Sequence, residues 1–299
     1  MTSAISTHDL VKKFRRVTAV NNLNLEVPEG AIYALVGPNG AGKTTAIKVL
    51  MNIFPPTSGR AEVLGTDSAR LAGRAFTSIG YVSENQELPG WMRIEQFLAY
   101  LRPFYPTWDR DLESELVKQL DLPLDRKLGK ISRGMRMKAA MLSALAYHPK
   151  LIVLDEPFGG LDPLVRDQLI EGMLERASEA TIFVSSHDLA EVENLASHVG
   201  YLEEGRLRFS EEMAALVERF REVELTFETP PTLQEKWPDS WMQVDASAAV
   251  VRFVESRFDR ERTSAEIRKV LGNVRDTTFT PMSLRSIFVA MAKSGRSSA

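Results

Sequence analysis

Three short apolar runs, each closed by polar residues, recur along the first two thirds of the chain. Ala31–Val36 reads as a buried strand that enters a tight loop at Gly37-Pro38, and Thr44–Met51 then reads as a helix. Leu151–Leu154 is closed by Asp155-Glu156-Pro157, and Thr181–Ser185 by Ser186-His187. Such strands alternate with helices to about residue 210, the pattern of a mostly parallel sheet covered on both faces. In sheets of this kind a ligand sits beyond the carboxyl ends of the strands. All three runs carry polar residues at that end.

Between the first and second runs, Ile94–His148 is helical in character, and Asp111–Leu120 places apolar residues at helical spacing. This predicts a helical subdomain, about residues 86–150, inserted into an α/β core. Composition shifts near Thr229-Pro230-Pro231. Val223–Phe227 and Val251–Val254 alternate like strands, while Ser264–Leu271 and Met282–Ala292 read as helices. The expected division is a large domain, 1–214, and a small α+β appendage, 215–299, ending in a polar tail from Ser294 to Ala299.

Composition narrows this picture. The chain has 299 residues, 44% hydrophobic and 26% charged, which is ordinary for a folded globular protein. A net charge of -3 gives no basic field for nucleic acid, so no nucleic-acid partner is expected; Lys12-Lys13 with Arg15-Arg16 reads as a solvated edge. There are no cysteines, hence no disulfide and no thiolate metal site. Met1–Lys13 lacks a signal pattern, and no stretch approaches the ~18 apolar residues of a membrane span. For work at a membrane, a partner must supply the spanning helices.

The loop after the first run carries the clearest chemistry. Gly37-Pro38-Asn39-Gly40-Ala41-Gly42-Lys43-Thr44, followed by Thr45, matches the Walker A pattern between a strand and a helix. Glycines let backbone N–H groups turn inward around phosphate oxygens, and the helix start adds its positive end. Lys43 is expected to reach the β- and γ-phosphates, and Thr44 to offer its hydroxyl to Mg²⁺. Asp155, at the end of the second run, is expected to hold the metal. Glu156 beside it is expected to act as general base or to position the attacking water. Together these predict a P-loop NTPase (RecA-like) core that hydrolyses a nucleoside triphosphate.

Other segments fall into order around that core. Ile131-Ser132-Arg133-Gly134-Met135 stands about twenty residues before Asp155, and Gly159-Gly160-Leu161-Asp162 follows Glu156. His187 ends the third run, Ile79–Glu84 precedes the helical segment, and Phe14 lies about two dozen residues before the phosphate loop. Ser132 and the N–H of Gly134 open a helix, and a helix start is an anion site. In order and spacing, roughly residues 5–210 resemble the nucleotide-binding domain of ATP-binding-cassette (ABC) proteins.

The resemblance implies ATP as substrate, with Mg²⁺, and a head-to-tail dimer of two ABC subunits, alike or different. Two nucleotides would be sandwiched between them. Ser132 and Gly134 would grip the γ-phosphate held by the opposite subunit, and Asp162 would communicate across the interface. His187 would bond the γ-phosphate and orient the water, and Phe14 would stack on adenine. Three positions depart from the family pattern. Glu84 stands where a metal-binding glutamine is usual, Arg133 replaces a glycine, and Met135 replaces a glutamine. Arg133 would add charge near the phosphate or, in the preferred reading, face solvent.

The chain is similar to the ATPases of bacterial ABC-2-type exporters. That implies a separately encoded multi-span permease and a place on the cytoplasmic face of the cell membrane. The docking surface would be about Leu88–Trp108, which holds Trp91, Met92, Phe97, Tyr100, Phe104, Tyr105 and Trp108. The competing reading is a soluble accessory ABC ATPase without a membrane partner. A degraded, merely regulatory ATPase is opposed by the presence of Lys43, Thr44, Asp155, Glu156 and His187.

Overall fold

The protein is represented by a computed structural model that describes residues 2–176, 179–229, 236–247, 249–272 and 274–296. Pro230-Pro231 and the last three residues of the polar tail lie outside the described residues. The chain divides into two compact units, Met1–Ser210 and Glu211–Ala299.

The first unit is built on a six-stranded sheet. From edge to edge it runs β10 (Arg206–Glu212), β9 (His198–Glu203), β3 (Ile32–Val36), β8 (Thr181–Ser186), β7 (Leu151–Asp155) and β6 (Ile79–Ser83). β3 pairs in parallel with β8 and β9, and β7 with β8 and β6. Every residue of β3, β7 and β8 is buried, which is why these strands read as unbroken apolar runs. β9 returns as β10 through Glu204-Gly205, both at positive φ, the geometry of a two-residue hairpin turn.

A second, antiparallel sheet has the order β2 (Val17–Pro28), β1 (Ser3–Phe14), β4 (Ser58–Val63), β5 (Thr66–Asp67). One apolar core joins it to the first: Ile5, Leu10 and Leu23 share a cluster with Tyr33, Leu35, Val153 and Phe183. Helix α1 (Lys43–Leu50) contributes Ala46, Ile47, Val49 and Leu50 to that core. The phosphate loop is therefore anchored at both ends by buried elements.

Between β6 and β7 lie α2 (Ile94–Leu101), α3 (Arg110–Gln119) and α4 (Arg133–Leu145). Asp109 caps α3 and Ser132 caps α4, each accepting a bond from the first turn's backbone N–H groups. Glu113 on α3 accepts from Arg102 Nε at 2.9 Å and Nη2 at 2.6 Å, and from Trp108 Nε1 at 2.7 Å. Tyr147 stacks on Tyr105 and donates to the Ile79 carbonyl, tying the helical segment to β6. Beyond β7 come α5 (Pro163–Arg176) and, after β8, the short α6 (Leu189–Glu193).

The second unit opens with α7 (Met213–Arg219). Its antiparallel sheet runs β12 (Trp241–Ala246), β13 (Val250–Glu255), β11 (Arg221–Thr226), β14 (Asp276–Pro281). Val223, Leu225, Val251 and Phe253 alternate onto one face, where Ile267 and Leu271 of α8 (Arg260–Leu271) complete a core. Trp241 stacks on Phe253 with centroids 3.9 Å apart. The last helix is α9 (Leu284–Arg296). No described helix is long and apolar enough to cross a membrane.

Candidate functional site

The loop between β3 and α1 takes its shape from two glycines. Gly42 has φ +108, and a Cβ there would fall 2.2 Å from the Ala19 carbonyl oxygen; a Cβ on Gly37 would fall 2.1 Å from that of Leu202. Larger residues would push the loop off β2 and β9. The loop so formed lines a cavity of about 470 Å³. Its walls are residues Asn39 to Thr45, Val17 to Ala19, the Glu204-Gly205 turn, Glu84, Glu156, Gly159 and His187.

Lys43 begins α1 and is almost fully buried. Its ammonium donates to the Gly37 carbonyl at 2.7 Å and the Pro38 carbonyl at 3.3 Å, and pairs with Glu156 Oε1 at 3.0 Å. The other oxygen of Glu156 meets His187 Nδ1 at 2.7 Å. One carboxylate is thus held between an ammonium and an imidazole. Its hydrogen bond and charge raise the pKa of His187 above the ordinary histidine value. Glu156 itself has a left-handed backbone, φ +51, uncommon for a residue with a side chain.

Asp155 ends β7 and is buried. Its Oδ1 accepts from Thr44 Oγ1 at 2.9 Å and from Ser185 Oγ at 2.8 Å. Burial pushes the Asp155 carboxyl above its usual value, against the lowering effect of the two hydroxyls. Ser185, at 0% exposure, also accepts from the Glu156 N–H at 3.0 Å, a bond shared with its own carbonyl at 3.2 Å. Ser185 was not singled out from sequence, because a small polar residue inside an apolar strand reads as filler. Only the pairing of β7 with β8, Asp155 opposite Ser185, gives it meaning.

Thr44 and Asp155 supply hydroxyl and carboxylate oxygens, the donor chemistry of Mg²⁺, which takes few protein ligands and completes its shell with water and substrate phosphates. Among the described residues no group of three or more His, Cys, Asp or Glu is placed to enclose a metal. The pair fits a metal delivered with a phosphate ligand.

A family model described as ABC transporter matches residues 20–159. The chain is 34% identical over 214 residues to the bacitracin transport ATP-binding protein BcrA of Bacillus licheniformis, covering 69% of each chain. It is 33% identical over 219 residues to the lantibiotic transport ATP-binding protein SrtF of Streptococcus pyogenes, covering 70% of this chain and 90% of that one. The chain belongs to the ABC transporter ATP-binding proteins. A solved ATP-binding subunit of an ABC transporter superposes with TM-score 0.66 at 27% identity, covering 73% of this chain and 92% of that one. The core is thus a P-loop NTPase cassette, and the protein is an ATP hydrolase that serves as an ATP-binding subunit in transport.

In this ABC ATPase the structure gathers Lys43, Thr44, Thr45, Glu156, His187, Glu84, Asn39, Gly40, Ala41 and Gly42 around one cavity, with Asp155 bonded to Thr44 at its floor. Gly37 and Pro38 act through their carbonyls on Lys43. Ser132, Gly134 and Asp162 do not line the cavity. Ser132 is exposed and caps α4, Gly134 packs toward Val165, and Asp162 accepts from the Val165 N–H at the start of α5. Phe14 also stays outside the cavity wall, meeting Phe54 edge-on at 5.3 Å beneath Lys12. Arg133 is exposed, as in the preferred sequence reading, and its Nη2 lies 3.5 Å from Glu84 Oε1.

Of the aromatic segment, Trp91, Tyr100 and Phe104 are exposed, Phe97 is buried, and Tyr105 and Trp108 group with Tyr147. Phe97 and Tyr105 line a groove of about 360 Å³ together with Ile53, Tyr81, Leu88 and Leu101 among others.

Proposed function

We propose that two ABC subunits, each contributing a face to the other's nucleotide, drive a multi-span permease that exports a compound of the bacitracin or lantibiotic kind from the cytoplasmic side of the membrane. The observation that carries the reading is the Glu156 carboxylate held between Lys43 and His187, next to the Thr44–Asp155 pair. Mg²⁺, held by Thr44 and Asp155 with Glu84 at the rim, would neutralise phosphate charge. The γ-phosphate takes over Lys43 and His187, which frees Glu156 to face water. Glu156 accepts the proton as the water oxygen attacks the γ-phosphorus, and the bond to the β-phosphate oxygen breaks, its electron pair leaving with ADP. Asn39 to Thr45 cradle the phosphates.

Exposure of Ser132, away from its own chain's cavity, supports a role against a second subunit's nucleotide. The groove lined by Leu88, Phe97, Leu101 and Tyr105 suits a short amphipathic helix of the permease. That kind of cargo is suggested by the bacitracin and lantibiotic transport proteins to which the chain is similar.

The test is a pull-down from native membranes with tagged Glu156→Gln chain and ATP, read by mass spectrometry. A stoichiometric multi-span protein is the expected result. Soluble partners alone, around an ATP-bound dimer, would favour the accessory reading instead.

A further inference from the structure

Two of the three positions where the chain departs from the ABC pattern touch each other. Glu84 follows β6 and lines the nucleotide cavity. Arg133 is the first residue of α4. Their charged groups lie 3.5 Å apart, each side chain a little under half exposed. The guanidinium also stands over the loop after Glu156: a Cβ on Gly160 would come within 3.0 Å of Arg133 Nη1, and one on Gly159 within 3.8 Å of Nη2. Arg133 therefore reaches from α4 to two loops that frame one cavity.

Neither residue suits its place alone. A cation at a helix N-terminus opposes the helix dipole. A carboxylate at the rim of a triphosphate site repels its ligand. Side by side they cancel, leaving the rim as neutral as the glutamine and glycine usual in the family.

We infer that Arg133 is a positioning residue whose task is to hold and neutralise Glu84, making the rim of the cavity acceptable to a nucleotide triphosphate. It does so without touching the nucleotide. The inference rests on the assignment of the cavity to ATP, and its test separates the two.

The measurement is equilibrium binding of a fluorescent ATP analogue in EDTA, so that no metal contributes, to wild type, Arg133→Gly, Glu84→Gln and the double variant. Thermal midpoints would check that each variant is folded. Arg133→Gly should weaken binding by about three- to tenfold at low ionic strength, with the effect shrinking in salt. Glu84→Gln should bind no more weakly than wild type, and adding it to Arg133→Gly should return the affinity. Arg133→Lys, which keeps the charge, should stay close to wild type. A double variant as weak as Arg133→Gly would mean that Arg133 contacts the phosphates itself, overturning the inference. Four indistinguishable affinities would overturn it too. Absence of binding to the wild type would instead remove the nucleotide reading on which it stands.

Discussion

At the scale of single residues, the site depends on groups holding one another at fixed distances. Ser185 shows this most clearly, because its hydroxyl donates to Asp155 and accepts from the Glu156 N–H. Ser185→Ala adds no volume to the buried strand but removes both bonds. It should lower kcat about tenfold, the effect of roughly one lost hydrogen bond, while nucleotide affinity stays within about twofold. The Mg²⁺ requirement should rise, and Ser185→Thr should recover activity. Steady-state hydrolysis beside nucleotide titration checks this; an equal loss of affinity would point to general damage of the fold. His187 gives a pH signature. Its pKa is raised by Glu156, so the pair stabilises the nucleotide-free protein fully below the ordinary histidine value of 6.5 and loses that contribution as pH rises through the folded value. The difference in Tm between wild type and His187→Ala should accordingly be largest below about pH 6.5 and shrink at higher pH. The phosphate loop, Asp155 and Glu156 were legible in the sequence because their chemistry is local, with loop, strand end and helix start contiguous. Ser185 and the Glu84–Arg133 contact were not, because their partners lie on other strands and loops.

At the scale of elements, legibility followed periodicity. The buried parallel strands and the helices α3 and α8 stood out because their patterns are regular. β1 and β2 are long yet hard to read, since their pairing shifts register four times and Asp9 sits in a left-handed conformation that breaks the alternation. β12 hides for the same reason, with a register shift around Gln243 at φ +51. In the helical segment one side chain carries much of the order. Glu113 is buried and accepts three bonds from Arg102 and Trp108. Burial alone would raise its pKa, but those donors outweigh burial and the net direction is down. Glu113→Ala should cost about 1–3 kcal/mol, because Trp108 and the partly exposed Arg102 are left without their acceptor. Urea denaturation reads the loss. Because the carboxyl's pKa is lowered, the wild-type advantage should be full above the ordinary glutamate value of 4.5 and fade as pH falls below it. An advantage independent of pH would show that packing, not the charged bonds, holds the segment.

At the scale of the whole molecule, the question is whether one chain is enough. Within this chain, Lys43, Glu156 and His187 converge while Ser132 and Gly134 stay outside the cavity. A site completed by a second subunit follows if the exposed start of α4 has a function. Head-to-tail pairing of two copies makes this testable by mixing two inactive variants. Glu156→Gln removes the base. Ser132→Asp preserves the cap on α4, since aspartate caps as well as serine, but sets a negative charge where the γ-phosphate of the other subunit would lie. Each variant alone gives dimers with both sites damaged. In a mixed dimer the two substitutions fall in the same site, and the other site is wild type throughout. Equal mixing makes about half of the dimers mixed, each with one intact site, so hydrolysis should return to about a quarter of the wild-type rate when the sites act independently. Recovery well below that, or none, from a mixture shown to exchange subunits, would mean that both sites must be intact for turnover. Full activity of Ser132→Asp on its own would return the chemistry to a single chain and leave Ser132 as a helix cap.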